Sequence, residues 1–126
     1  MMAASTHVKG REGEDRAARY LEDTGWSVLA RNYRSRWGEI DIVARKGCEV
    51  GFFEVKSWST LPQGELEHSV TFLKRARIIR TARVFLGGRR DLSEKRLRFD
   101  VLFLGGKGQD MVHIENAFEA GGIDRW

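Results

Sequence analysis

The sequence predicts an α/β domain in which helices pack on a β-sheet, and three observations lead there. Segments of helical periodicity and segments of strand character follow one another in the order α-β-β-β-α-β-β, the pattern of a sheet covered by helices. A length of 126 residues suits one domain with one core. Hydrophobic residues at 41% and charged residues at 32% describe a globular chain rather than a disordered one. We expect residues 1–9 to form a disordered leader, 10–119 a single domain and 120–126 a tail.

The first element reads as a helix from about Arg11 to Thr24. At roughly 100° per residue, Glu14, Ala17, Ala18 and Leu21 share one narrow face, with Glu12, Arg16, Arg19 and Asp23 opposite. Gly25 is its expected stop. Glu14 stands out, because a carboxylate at the centre of an apolar stripe goes against the usual outward placement. Three strands are expected next, Trp26 to Tyr33, Gly38 to Arg45 and Glu49 to Lys56, the last two joined by a short connection containing Gly47. Ser57 to Gly64, which holds the only proline, reads as an irregular loop. A long helix from about Glu65 to Leu86 places Phe72, Ala76, Ile79, Ala82 and Leu86 on one face, and Lys74, Arg77 and Arg80 on another. Two strands, Leu97 to Leu104 and Met111 to Glu115, close the chain.

Composition narrows the function classes. No apolar run is long enough to span a bilayer, and Met1 to Lys9 lacks the apolar core of a secretory signal. A lone Cys48 has no partner in the chain for a disulfide, which fits a reducing compartment. The expectation is a cytoplasmic protein. A net charge of +4 is compatible with a polyanionic partner without requiring one.

The hairpin carries the chemistry. If Gly47-Cys48 is a two-residue loop flanked by a Lys46/Glu49 pair, a type II′ turn suits the glycine, and counting back along both strands sets Asp41 opposite Glu54 and Glu39 opposite Lys56. Strand alternation then gathers all four side chains on one surface. Directly opposed residues have Cβ atoms about 5 Å apart, where two carboxylates repel. A divalent cation between Asp41 and Glu54 relieves that repulsion, and an oxygen-only ligand set suits Mg²⁺ or Mn²⁺. Zinc is disfavoured, since His7, His68 and His113 are scattered. Lys56 can orient an attacking water or stabilise charge on a phosphate, and Glu14 can add a further carboxylate. Alone, Glu54-Val55-Lys56 reads equally as a solvated strand face. The conjunction with an opposed Asp and an inward Glu favours the cation, provided the register holds, because a slip of one residue moves Asp41 to the other face.

Gly38-Glu39-Ile40-Asp41 followed by Phe53-Glu54-Val55-Lys56 resembles the YraN family of bacterial proteins. The resemblance extends over nearly the whole chain after residue 9. It takes in Gly10 and Glu14, Asn32-Tyr33-Arg34, Val70 and Lys74, Arg98-Phe99-Asp100-Val101, His113-Ile114 and Asn116-Ala117-Phe118. That family is similar to the restriction-endonuclease-like superfamily and to archaeal Holliday junction resolvases. The resemblance implies an αβββαβ core with a mixed central sheet, and an active site of Asp41, Glu54, Lys56 and Glu14, with Asp41, Glu54 and Glu14 as metal ligands. One departure is Trp58, where the family commonly carries an arginine; a Trp stacks on a base instead of gripping a phosphate.

Outside that core, Lys74, Arg77 and Arg80 form a helix face that either meets DNA or is simply solvated, and Lys74 can also touch the active site itself. Glu39 either pairs with Lys56 or assists the metal. Arg98 and Asp100 read as a structural ion pair, because charges in so apolar a strand need partners. Trp26 and Trp37 read as packing residues, and Cys48 as incidental. The leading expectation is a Mg²⁺- or Mn²⁺-dependent endonuclease acting on DNA, with branched DNA implied by the resemblance and a homodimer if the substrate is a four-way junction. The alternative is a nucleic-acid-binding module that keeps the fold without turnover, and a blander one a protein-interaction domain.

Overall fold

The computed structural model describes residues 2–57, 72–105 and 111–120, with side chains from Arg11 onward. Helix α1 (Met2–Asp23) leads into β1 (Ser27–Ser35), β2 (Gly38–Lys46) and β3 (Glu49–Ser57); α2 (Phe72–Gly87), a 3-10 turn (Arg90–Leu92), β4 (Arg96–Leu104) and β5 (Val112–Phe118) follow. The helix thus begins well before the Arg11 that periodicity gives. The sequence-predicted loop beyond Ser57 and the first turns of the long helix, residues 65–71, lie outside the described residues.

The strands stand in chain order, β1-β2-β3-β4-β5, and every neighbouring pair is antiparallel except β3 and β4, which are parallel. This is the expected mixed sheet of an αβββαβ core. A parallel pair needs a long crossover, and α2 lies within it.

Each helix covers one face. Ala17, Ala18 and Leu21 of α1 are buried with Trp26, Ile42, Phe53 and Leu102. Ile78, Ile79, Ala82 and Phe85 of α2 are buried with Ile40, Val43, Phe52 and Phe99 on the other face. The apolar stripe of α1 therefore lies where the sequence puts it, and Gly25 ends the helix at φ 101°, a left-handed conformation that glycine adopts without a Cβ penalty. The stripe of α2 needs one correction. Phe72 is 64% exposed, because the start of α2 overhangs a groove beside Trp37 instead of the sheet.

The hairpin register is the expected one. Lys46 pairs with Glu49, and the ladder continues to Ile42 opposite Phe53. Gly47 sits at φ 59°, as the first position of a type II′ turn requires, while Cys48 has no positive φ. Beyond Ile42 and Phe53 the ladder stops. The first residues of β2 stay with β1, as in Ile40 opposite Tyr33, and the last residues of β3 stay with β4, as in Lys56 opposite Phe103. The sheet is forked at this end.

Candidate active site

Alternation fails at the fork. Ile40 and Ile42 are two residues apart and belong on one face of a regular strand, yet Ile40 packs under α2 and Ile42 under α1. The neighbouring strand flips in step: Asn32, which falls opposite Asp41 between the Arg31/Ile42 and Tyr33/Ile40 pairs, has φ 53°. Asparagine is one of the few residues with a side chain that tolerates this region. The result turns Asp41 toward β3, where its Oδ2 accepts a hydrogen bond from the Val55 backbone N–H at 2.7 Å.

Asp41 and Glu54 line one cleft of about 470 Å³, together with Gly38, Glu39, Lys74 and Arg77. Burial, and then the negative charge of Glu54, push the Asp41 carboxyl up to about 7, against the downward pull of the Val55 bond. Two carboxylates thus compete for one space, as the sequence arithmetic requires.

Two lysines answer them. Glu54 Oε1 lies 2.7 Å from Lys74 Nζ of α2 and 3.7 Å from Lys56 Nζ. Burial and then the neighbouring Lys74 hold the Lys56 ammonium below the usual lysine range. Burial also pulls on Lys74, but its bonds to Glu54 and Lys56 outweigh that and leave its pKa raised. Lys74 joins the acid cluster itself, a role the sequence leaves open between phosphate contact, site contact and solvation.

Glu14 points inward from α1 as its place in the stripe predicts. Burial raises its pKa, opposed by a hydrogen bond with Asn32 and by the Arg31 charge. Its Oε1 is buried without a hydrogen-bond partner, and the Arg31 guanidinium stands 3.9 Å off. Arg31 itself is bound to Asp15 at 2.6 Å. Among the described residues, no three His, Cys, Asp or Glu side chains are gathered into a metal cage as they stand. A hard cation such as Mg²⁺ does not need one, since it is commonly held by one or two carboxylates and completes its shell with water and substrate phosphates. The mutual repulsion of Asp41 and Glu54 fits a cation in this cleft, whereas Glu14, with its orphaned oxygen, is not among the described residues that line it.

Other expectations resolve differently. Glu39 pairs with Arg34 across β1 and β2 at 3.6 Å rather than with Lys56, because the ladder has already ended. Arg77 lines the cleft, whereas Arg80 stacks on Trp37 with its guanidinium carbon 4.4 Å from the ring centroid. Trp58 lies outside the described residues. Arg98 and Asp100 form the expected ion pair, Nη2 to Oδ2 at 2.6 Å, well away in sequence from the fork. Sequence reasoning missed Asn32 as a partner of Glu14; an asparagine one residue from the centre of β1 is the signal that could have found it.

Residues 13–104 match the Uncharacterised protein family UPF0102. A UPF0102 protein of Persephonella marina is 40% identical over 112 residues, covering 89% of this chain and 94% of its own. A relative from Sulfurihydrogenibium sp. is 46% identical over 110 residues, 87% of this chain and 93% of its own. A third, from Myxococcus xanthus, is 41% identical over 114 residues, 89% and 90% of the two chains. Glu14, Asp41, Glu54, Lys56 and Lys74 all fall inside the matched span.

Proposed function

The chain belongs to the UPF0102 family, the YraN family of the sequence resemblance, and from the fork in its sheet we propose that it is a metal-dependent endonuclease hydrolysing phosphodiester bonds in DNA. One observation carries the reading: Asp41 and Glu54 converge in an open cleft that also receives Lys74, with the Lys56 ammonium 3.7 Å from Glu54. Acids forced together beside amines make a poor structural ion cluster and a good phosphoryl-transfer site.

Asp41 and Glu54 would hold Mg²⁺ or Mn²⁺, with Glu14 as the further acid behind them. When bound, the cation neutralises the two carboxylates and polarises the phosphate. Lys56 holds the attacking water beside the phosphorus, and its lowered pKa makes it a readier proton donor than an ordinary lysine. Lys74 and Arg77 draw the phosphate in and offset its charge. Water adds to phosphorus, one phosphorus–oxygen bond breaks, and a phosphomonoester and a hydroxyl result. The Asp41–Val55 bond fixes the acid in place before substrate arrives. No described helix is long and apolar enough to cross a membrane.

The test uses labelled linear, flapped and four-way DNA with Mg²⁺, Mn²⁺ or EDTA. Nicking is expected with metal and absent in EDTA, and Asp41→Asn and Lys56→Ala each lower it by about 10²–10³-fold. Absence of nicking with every DNA and metal overturns the reading. A second reading, a DNA-binding module without turnover, is favoured by the Lys74–Glu54 contact, which fills with an ammonium the place a cation needs. Binding that persists in EDTA while no metal supports cleavage would select it.

A further inference from the structure

Two tryptophans near the hairpins differ in exposure. Trp26 is 5% exposed, meets Phe53 edge to face and carries the guanidinium carbon of Arg98 at 5.0 Å from its centroid. Trp37, in the turn between β1 and β2, is 38% exposed and carries two guanidinium carbons, that of Arg80 at 4.4 Å from its centroid and that of Arg36 at 4.9 Å. It is not the packing residue the sequence predicts. Both indoles meet arginine, but Trp26 is sealed in the core, whereas Trp37 also reaches solvent.

Trp37 forms one wall of a groove of about 430 Å³. Phe72, Leu73 and Ala76 of α2 line it with Arg36, Arg77 and Arg80. No carboxylate lines it among the described residues. Leu73 and Arg77 also line the Asp41–Glu54 cleft, so the groove opens directly beside that cleft.

Building on the nuclease reading, we propose that this groove is a subsite for an unpaired nucleobase next to the scissile phosphate, which makes the substrate DNA with a single-stranded portion. A flat apolar slot bounded by an indole and guanidinium planes accepts the face of any base, since bases stack on both. The arginines balance the phosphates on either side of that base. A duplex keeps its bases stacked on one another and has none to offer. Arg77, shared by cleft and groove, then lies between the base and the phosphate to be cut. A protein partner is the lesser fit: three of the seven described lining residues are arginines, which suits a polyanion better than the mixed rim of a protein interface.

The experiment measures binding of the full chain in EDTA to a blunt duplex and to the same duplex with a single-stranded overhang, by fluorescence anisotropy. Absence of nicking therefore counts against the nuclease reading alone, and loss of Trp37 dependence against the groove alone. The wild type is expected to prefer the overhang. Trp37→Ala should weaken overhang binding by about five- to a hundredfold, well beyond any change for the blunt duplex, and Trp37→Phe should retain most of the preference. Far-UV circular dichroism of both variants confirms that they fold, as expected for an exposed side chain. Equal loss on both DNAs, or no loss on either, overturns the proposal. So does a chain indifferent to DNA whose self-association is lost in Trp37→Ala, which assigns the groove to a second copy.

Discussion

Asp100 in β4 and Asp41 in β2 each stand beside a left-handed asparagine on a neighbouring strand, Asn116 of β5 at φ 51° and Asn32 of β1 at φ 53°. Each also accepts a backbone N–H, from Asn116 at 3.0 Å and from Val55 at 2.7 Å. There the likeness ends. Asp100 takes two bonds from Arg98, at 3.2 and 2.6 Å, and its Oδ2 lies 2.6 Å from His113 Nε2. Arg98 in turn reaches Glu49 and Glu115, and His113 reaches the Tyr20 hydroxyl of α1 at 2.8 Å. Burial works against the Asp100 charge, but His113, Arg98 and the Asn116 amide outweigh it and hold the carboxyl below the usual range. Asp41 has one such bond and faces another acid, and its carboxyl is pushed up to about 7. The same backbone device thus serves a satisfied cluster in one place and a frustrated one in the other. Charge that is fully matched holds structure together; charge left over is available to a ligand.

The sharpest way to break this comparison is to remove each aspartate in turn. Asp100→Ala leaves Arg98, 8% exposed, without its main partner, and should cost about 3–5 kcal/mol in urea unfolding. Asp41→Asn removes one of two repelling acids and should leave stability unchanged or raised. Equal destabilisation by the two would erase the distinction between the clusters.

Acid–base behaviour should separate them with opposite signs. Folded Asp41 keeps its proton to about 7 while the unfolded chain releases it near the ordinary 3.8, so the folded state binds more protons in between. Its contribution to stability therefore falls as pH rises from about 4 to about 7. Asp100 has a depressed pKa, so its contribution is full above the ordinary value and is lost as pH falls below it. In EDTA, denaturation between pH 4 and 8 should show a decline that Asp41→Asn removes and that saturating Mg²⁺ flattens. A decline unaffected by Asp41→Asn would assign it to other groups.

The smallest effect belongs to the asparagine beside the cleft. Asn32→Ala forces a side chain without a local hydrogen bond into φ 53° and frees Glu14 of its partner, which together should cost about 1–2 kcal/mol in thermal melts. Asn32→Gly keeps the backbone comfortable and should cost less. Equal melting of the two variants would mean that the left-handed conformation carries no strain.

What the sequence disclosed follows the same division. The turn chemistry of Gly47 and the strand alternation around it set the hairpin register, so the approach of Asp41 to Glu54 was legible. The inward Glu14 was legible from helical periodicity, and the Arg98–Asp100 pair from charge in an apolar strand. The fork was not, because it depends on a side chain replacing a backbone partner at Val55, and that is why the expected Glu39–Lys56 pair does not form. Nor were the partners of Arg98, since Glu49 and Glu115 come from other strands. Trp37 and Phe72 were read as packing residues because periodicity identifies apolar positions but not where a helix outruns the sheet beneath it.

The Val55 amide, held by Asp41 rather than by a β2 carbonyl, makes the backbone of β3 a built-in reporter. Its proton resonance and its exchange with deuterated solvent will register the ionisation of Asp41 and the arrival of any ion that engages that carboxylate, while Phe52 and Val50, deep in the ladder, stay silent. One amide signal thereby supplies a titration of the cleft that needs neither DNA nor turnover.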